Sequence, residues 1–118
     1  MTGPLVEVVG LEVFAHHGVY EHERRDGQPF LFDVRLIGSS ASEQNDRLED
    51  AIDYGAVCDR VVELAGGGPY SLLERLAAVI ADDLLERFPA ERVQVTVHKP
   101  QAPVGHPFGD VRVTVTRP

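Results

Sequence analysis

The chain has 118 residues, 43% of them hydrophobic, a formal net charge of −8 and one cysteine, Cys58. Length and composition predict one globular domain over residues 1–118 and exclude a disordered chain. The acidic balance excludes nucleic acid and anionic membrane as partners, since both need a basic footprint, and a lone cysteine excludes an intrachain disulfide and a cysteine-based zinc site.

Leu5 to Ala15 reads as a strand. Val6 and Val8 share one parity, then Leu11, Val13 and Ala15 take the other, the phase change that a bulge at Gly10 would produce. Glu7, Gly10 and Glu12 interrupt this apolar run. It therefore predicts neither a signal-peptide core nor a membrane span, and a cytoplasmic location is expected. His16 to Pro29 is a connection of about a dozen residues, long for a compact hairpin and of the kind that more often carries function. Phe30 to Ile37 is a second strand, with Phe30, Phe32, Val34 and Leu36 inward and Asp33 and Arg35 outward.

Gly38 to Asp50 is polar and irregular, with Leu48 as its expected anchor. Asp53 is the predicted N-cap of a helix from Tyr54 to Ala65, whose Val57, Val61, Leu64 and Ala65 share a face. Gly66-Gly67-Gly68-Pro69 stops it, and the run lacks the Lys-Ser/Thr that a phosphate cradle needs. Ser71 to Phe88 is a longer helix. Leu73, Ala77, Ile80, Leu84 and Phe88 form its apolar stripe, flanked by Leu76, and Arg75, Asp82, Asp83 and Glu86 gather opposite. Glu74 does not join them; it projects between Ala81 and Leu85, on the shoulder of the apolar arc.

Val93, Val95 and Val97 then alternate with Gln94, Thr96 and His98. Lys99 falls on the valine parity at the strand's last residue, and Pro100 and Pro103 stop the ladder. Asp110 to Arg117 closes the chain as a strand, with Val111, Val113 and Val115 alternating. The order ββααββ predicts an α+β fold, a four-stranded antiparallel sheet with two helices packed on one face. The other face carries Asp33, Arg35, Gln94, Thr96, Arg112 and Thr114, and meets solvent or a wet lumen between copies. Uncapped sheet edges favour pairing between chains, so a homo-oligomer is expected.

Four side chains are candidates for chemistry, each with an ordinary alternative. Lys99 either snorkels its ammonium to water, the commoner case, or is held over whatever the apolar face covers. Glu74 is either a helix N-terminal carboxylate favoured by the macrodipole, or a partner for a planar group offering two N–H donors. Glu23, in HHGVYEHERRDGQPF, is a solvated loop glutamate or a site residue. Tyr54 is an aromatic helix-start residue with a wet hydroxyl, or a phenol that exchanges a proton. The histidines, His16, His17, His22, His98 and His106, show no i, i+4 pair, and adjacent His16 and His17 point opposite ways on an extended segment. No metal site is predicted. A Ser-His-Asp arrangement lacks a nucleophile-elbow context.

Four segments carry a resemblance: HGVYEHE closing with Gly27-Gln28, DRLEDAIDYGAV, SLLERLAAVIA and VHKPQAPV. In this order and spacing, across nearly the whole chain, they resemble the dihydroneopterin aldolase family of the tunnelling-fold pterin enzymes. The resemblance implies an aldehyde-lyase of folate biosynthesis that cleaves 7,8-dihydroneopterin, by a retro-aldol step, to 6-hydroxymethyl-7,8-dihydropterin and glycolaldehyde. It implies no metal, Schiff base or other cofactor, because the dihydropterin's own C=N bond serves as electron sink. Lys99 would be the principal acid/base group, Tyr54 a second proton donor, and Glu23 a positioner of the substrate side chain and of catalytic water. Glu74, with the backbone of Leu73, would hold the amino-pyrimidinone edge.

The resemblance further implies rings of four that stack into an octamer, with sites between subunits. Alternatives are a 2′-epimerase working through the same cleaved intermediate, a zinc-dependent pterin synthase, or a module that binds pterin without turnover. The stretch from Gly38 to Asn45 and the turn around His106 depart from the family pattern, which leaves loop conformation open there.

Overall fold

The computed structural model describes residues 3–118, so the first two positions of the expected 1–118 domain lie outside the described residues. Its elements are β1 (Leu5–Ala15), α1 (Glu21–Asp26), β2 (Gln28–Ile37), α2 (Ala41–Asn45), a 3-10 turn (Leu48–Asp50), α3 (Tyr54–Ala65), α4 (Leu73–Arg87), β3 (Arg92–His98) and β4 (Arg112–Arg117). The strands form one four-stranded antiparallel sheet in the order β1-β2-β3-β4. α3 packs over β1 and α4 over β3 and β4. This is the α+β architecture that the pattern of apolar residues predicts.

Period-two alternation decides which sheet face is buried. Phe30, Phe32, Val34 and Leu36 of β2 and Val93, Val95 and Val97 of β3 are completely buried beneath the helices. Val57, Val61 and Ala65 of α3 and Leu76, Ala77, Ile80, Ala81 and Leu84 of α4 close on them at helical spacing. Asp53 caps α3 by accepting the Ala56 N–H at 3.1 Å. On the open face, polar rungs cross the sheet: Thr96 to Thr114 at 2.8 Å and Gln94 to Thr116 at 3.2 Å.

The bulge falls where the parity change places it. Register shifts between Val8 and Leu11, Gly10 takes φ 71°, and its N–H donates to Asp33 at 2.8 Å. β2 begins two residues earlier than its aromatic alternation indicates, at Gln28. Pro29 is tolerated there because β3 ends opposite Leu31, so that stretch of β2 pairs only with β1.

Leu48 is not an anchor. It is 68% exposed, and Ile52, at 5%, fills the core from that segment instead. The segment between β2 and α3 is also more ordered than its composition suggests, with the short α2 and a 3-10 turn tied by Asn45 and Arg47 to Asp50.

Candidate active site

The end of the sheet at which β3 stops gathers most of the candidates. His98 is the last residue of β3, and Lys99 follows with its N–H donated to Val111 at 2.7 Å. The valine parity carries the Lys99 side chain to the helix-covered side, where it is 7% exposed and lies 5.9 Å from the centroid of the Phe30 ring. Its ammonium meets Glu23 Oε1 at 2.6 Å. The snorkelling alternative therefore fails for this lysine: the charge goes inward, to a buried carboxylate.

Glu23 is delivered by α1, a six-residue helix inside the β1–β2 connection. The helix begins where Glu23 Oε2 accepts the Tyr20 N–H at 3.2 Å and ends at Gly27, which has φ 73° and donates its N–H to Glu23 O. The Glu23 side chain thus folds back beneath its own helix rather than into solvent, and the residue is 4% exposed. A Cβ at Gly18 would collide with this carboxylate, so glycine there leaves room for it. Burial pushes the Glu23 carboxyl up, but the hydrogen bonds from Lys99 and Tyr20, the Lys99 charge and Gln28 together hold it below the usual carboxylate range.

Gln28, to which the sequence assigns no role, is buried beside this pair. Its Nε2 donates to Glu23 Oε1 at 3.4 Å, while its buried Oε1 has no protein donor among the described residues. Glu23, Gln28, His22 and Gln101 line a shallow cavity of about 190 Å³. His17, also without an assigned role, welds the connection to the helices. Its Nδ1 accepts the Tyr70 N–H at 3.0 Å and its Nε2 donates to Ala65 O at 2.7 Å. Burial pushes its pKa down, which suits that neutral tautomer.

Leu73 and Glu74 open α4 at the same end of the sheet. Gly18 donates to Tyr70 O at 3.0 Å and Arg24 bonds Ser71 Oγ, so the start of α4 is tied to the segment that carries Glu23. Glu74 is exposed, in the open rather than pressed on apolar surface, and takes no part in the Arg60–Asp83 pair that joins α3 to α4 or in the Arg87–Asp83 pair within α4. Leu72, just ahead of α4, and Val19 and Tyr20, just ahead of α1, are exposed hydrophobic side chains.

Tyr54 is elsewhere. It is 65% exposed and lines a cavity of about 430 Å³ with Leu5, Glu7, Gly38, Ala51 and Ile52. Leu5 pairs with Ile37 and Ile37 with Arg92, whereas His98 pairs with Leu31. Along β2 those rows stand roughly 20 Å apart at about 3.4 Å per residue. One chain thus brings Lys99, Glu23 and Gln28 together, with Leu73 and Glu74 at the same end, and leaves Tyr54 toward the other. Among the described residues, no group of three or more His, Cys, Asp or Glu side chains is arranged to hold a metal ion.

Comparison with known proteins places this geometry in context. The family model described as dihydroneopterin aldolase matches residues 6–116. A dihydroneopterin aldolase of Streptomyces coelicolor is 42% identical over 113 residues, 95% of each chain. One from Bacillus subtilis is 36% identical over 117 residues, again 95% of each chain. The crystal structure of Escherichia coli dihydroneopterin aldolase in complex with neopterin superposes with a TM-score of 0.88 at 28% identity, covering 98% of this chain and 99% of that one. A Burkholderia dihydroneopterin aldolase bound to guanine gives a TM-score of 0.79 at 25% identity, covering 97% of this chain and 89% of that one.

Proposed function

The chain belongs to the dihydroneopterin aldolase family and acts as an aldolase of folate biosynthesis; on that premise we propose that the buried Glu23–Lys99 pair is its proton-transfer centre. The observation that carries this reading is the 2.6 Å contact between the two charges beneath α1. A lysine and a carboxylate so placed can exchange and relay a proton without reorganising around bulk water. We also read residues 1–118 as one domain working in the cytoplasm; among the described residues no helix is long and apolar enough to cross a membrane.

In the proposed reaction the 2′-hydroxyl of 7,8-dihydroneopterin loses its proton and the C1′–C2′ bond breaks. Its electron pair moves into the adjacent C=N bond of the ring. Carbons 2′ and 3′ leave as glycolaldehyde, and a proton added back at C1′ gives 6-hydroxymethyl-7,8-dihydropterin. Lys99 is the acid/base group, Glu23 orients the hydroxylated side chain and a water, and Tyr54 is a second proton donor. Gln28 Oε1, a buried acceptor, suits a hydroxyl or water beside Glu23.

Glu74 and the Leu73 backbone hold the ring. Neopterin and guanine, the ligands of the two solved relatives, share an amino-pyrimidinone edge with two N–H donors, which a carboxylate accepts in parallel. Because Tyr54 lies far from Lys99 within one chain, the site is completed by the Tyr54 of a neighbouring copy in a homotetramer or octamer. The free edges β1 and β4 suit such assembly. Membership of this family favours the aldolase over the epimerase and the zinc-dependent synthase.

Incubation with 7,8-dihydroneopterin, with glycolaldehyde and the hydroxymethyl product followed by chromatography, tests the reading. Lys99→Ala should lower kcat by about 10²–10⁴-fold with little change in pterin affinity, and Glu74→Ala should chiefly weaken binding. Near-normal turnover by Lys99→Ala would remove its assigned role.

A further inference from the structure

His98 sits one residue before Lys99 and, by strand alternation, faces the opposite side of the sheet. Its Nε2 lies 2.6 Å from Asp33 Oδ2 on β2, and its Nδ1 lies 2.7 Å from Asp110 Oδ2, just ahead of β4. A neutral imidazole has one N–H, so one of the two carboxylates would meet a bare ring lone pair at that distance. Both contacts are satisfied together only by the imidazolium, with each nitrogen donating. The side chain is 12% exposed. Burial pushes the His98 pKa down, and the two carboxylates outweigh it to hold the value above that of an ordinary histidine.

Each carboxylate is tied in turn to a backbone feature. Asp33 accepts the Gly10 N–H at the bulge of β1. Asp110 precedes Val111, whose carbonyl accepts the Lys99 N–H. The ring of contacts His98–Asp110–Val111–Lys99 therefore closes the base of the largely exposed segment 100–109 and sets where the Lys99 side chain starts.

We propose that His98, bridging Asp33 and Asp110 as an imidazolium, is a positioning residue for Lys99: it clamps the end of β3 so that the Lys99 ammonium reaches Glu23, and it touches no substrate. This rests on the reading of Lys99 as the acid/base group. The charged groups around the clamp are Asp33 from β2, Asp110 from the segment before β4, and Arg112, which pairs with His98 across β3 and β4. Glu12 of β1 lies in the same cross-strand row through Leu31. Deprotonated, the ring can donate to only one carboxylate, and the clamp opens on one side. Because the folded value is raised, the clamp's contribution is complete below the unfolded histidine's value and is lost as pH rises through the folded value.

The test compares a nitrogen-15 NMR titration of the His98 ring in the intact protein with kcat and KM against pH. It uses wild type, His98→Gln, Asp110→Asn and Lys99→Ala. The His98 ring should lose its second proton at a higher pH than a free histidine titrated under the same conditions. His98→Gln should lose about ten- to a hundred-fold in kcat with KM little changed. Wild-type kcat should fall over the interval in which NMR sees His98 deprotonate, a step absent from His98→Gln.

Asp110→Asn should show a loss in the same direction, and it carries the test if His98→Gln does not fold. A merely structural histidine would lower Tm while leaving kcat and its pH profile unchanged. That outcome, or a His98 ring that titrates no higher than a free histidine, overturns the proposal. Lys99→Ala separates the two possible failures. If it keeps turnover, the acid/base reading fails; if it is inactive while both clamp variants behave normally, only the clamp fails.

Discussion

Glu23 concentrates three donors on one buried carboxylate: the Lys99 ammonium, the Tyr20 N–H and the Gln28 amide. Its folded pKa lies below the ordinary carboxylate value. The stability it confers is therefore complete above the unfolded carboxyl's range and is lost as pH falls through the lower folded value. Glu23→Gln leaves the Lys99 charge buried without its counter-ion, and removing one partner of a buried pair costs up to about 3–5 kcal/mol. Thermal unfolding followed by circular dichroism from neutral to acid pH should show a lower Tm for this variant and a shallower acid decline than wild type. An equal acid decline in both proteins would mean that Glu23 contributes none of it. Lys99 was legible as a candidate because period-two alternation puts it on the buried parity. Glu23 was legible only through family resemblance, since nothing local distinguishes a buried loop glutamate from the solvated Glu21 beside it.

At the scale of elements, strands and long helices follow directly from apolar periodicity, and the bulge from its change of phase. A Cβ at Gly10 would meet nothing within 4 Å, so Gly10→Ala isolates the cost of a positive φ. About 1 kcal/mol of destabilisation is expected in denaturant titration, with kcat unchanged. A neutral result would mean that the bulge relaxes to another register. The short elements were illegible for a physical reason. α1 is far below the length at which a helix holds itself together, and it exists because Glu23 and Gly27 satisfy its ends while Lys99, some seventy residues on, satisfies Glu23. Leu48 failed as an anchor because one leucine in a polar stretch carries no period to say which way it faces.

For the whole molecule, the decisive distance is that between Tyr54 and Lys99 at opposite ends of the sheet. If neighbouring copies complete each site, mixing inactive Tyr54→Ala and Lys99→Ala proteins under conditions that exchange subunits should restore part of the activity. Glu74→Ala mixed with Lys99→Ala should restore none, because those two residues share one end of one chain. Activity in the second mixture, or none in the first, would overturn this division of the site. Composition, periodicity and parity by themselves determined the class of fold, the buried faces and the inward register of Lys99, because all of these depend on neighbours within a few residues. Only the tertiary structure decided that Lys99 pairs with Glu23, that His98 bridges Asp33 and Asp110, and that Tyr54 stands apart. Those contacts join side chains 12 to 76 residues apart, and their geometry is set by how the sheet closes beneath its helices.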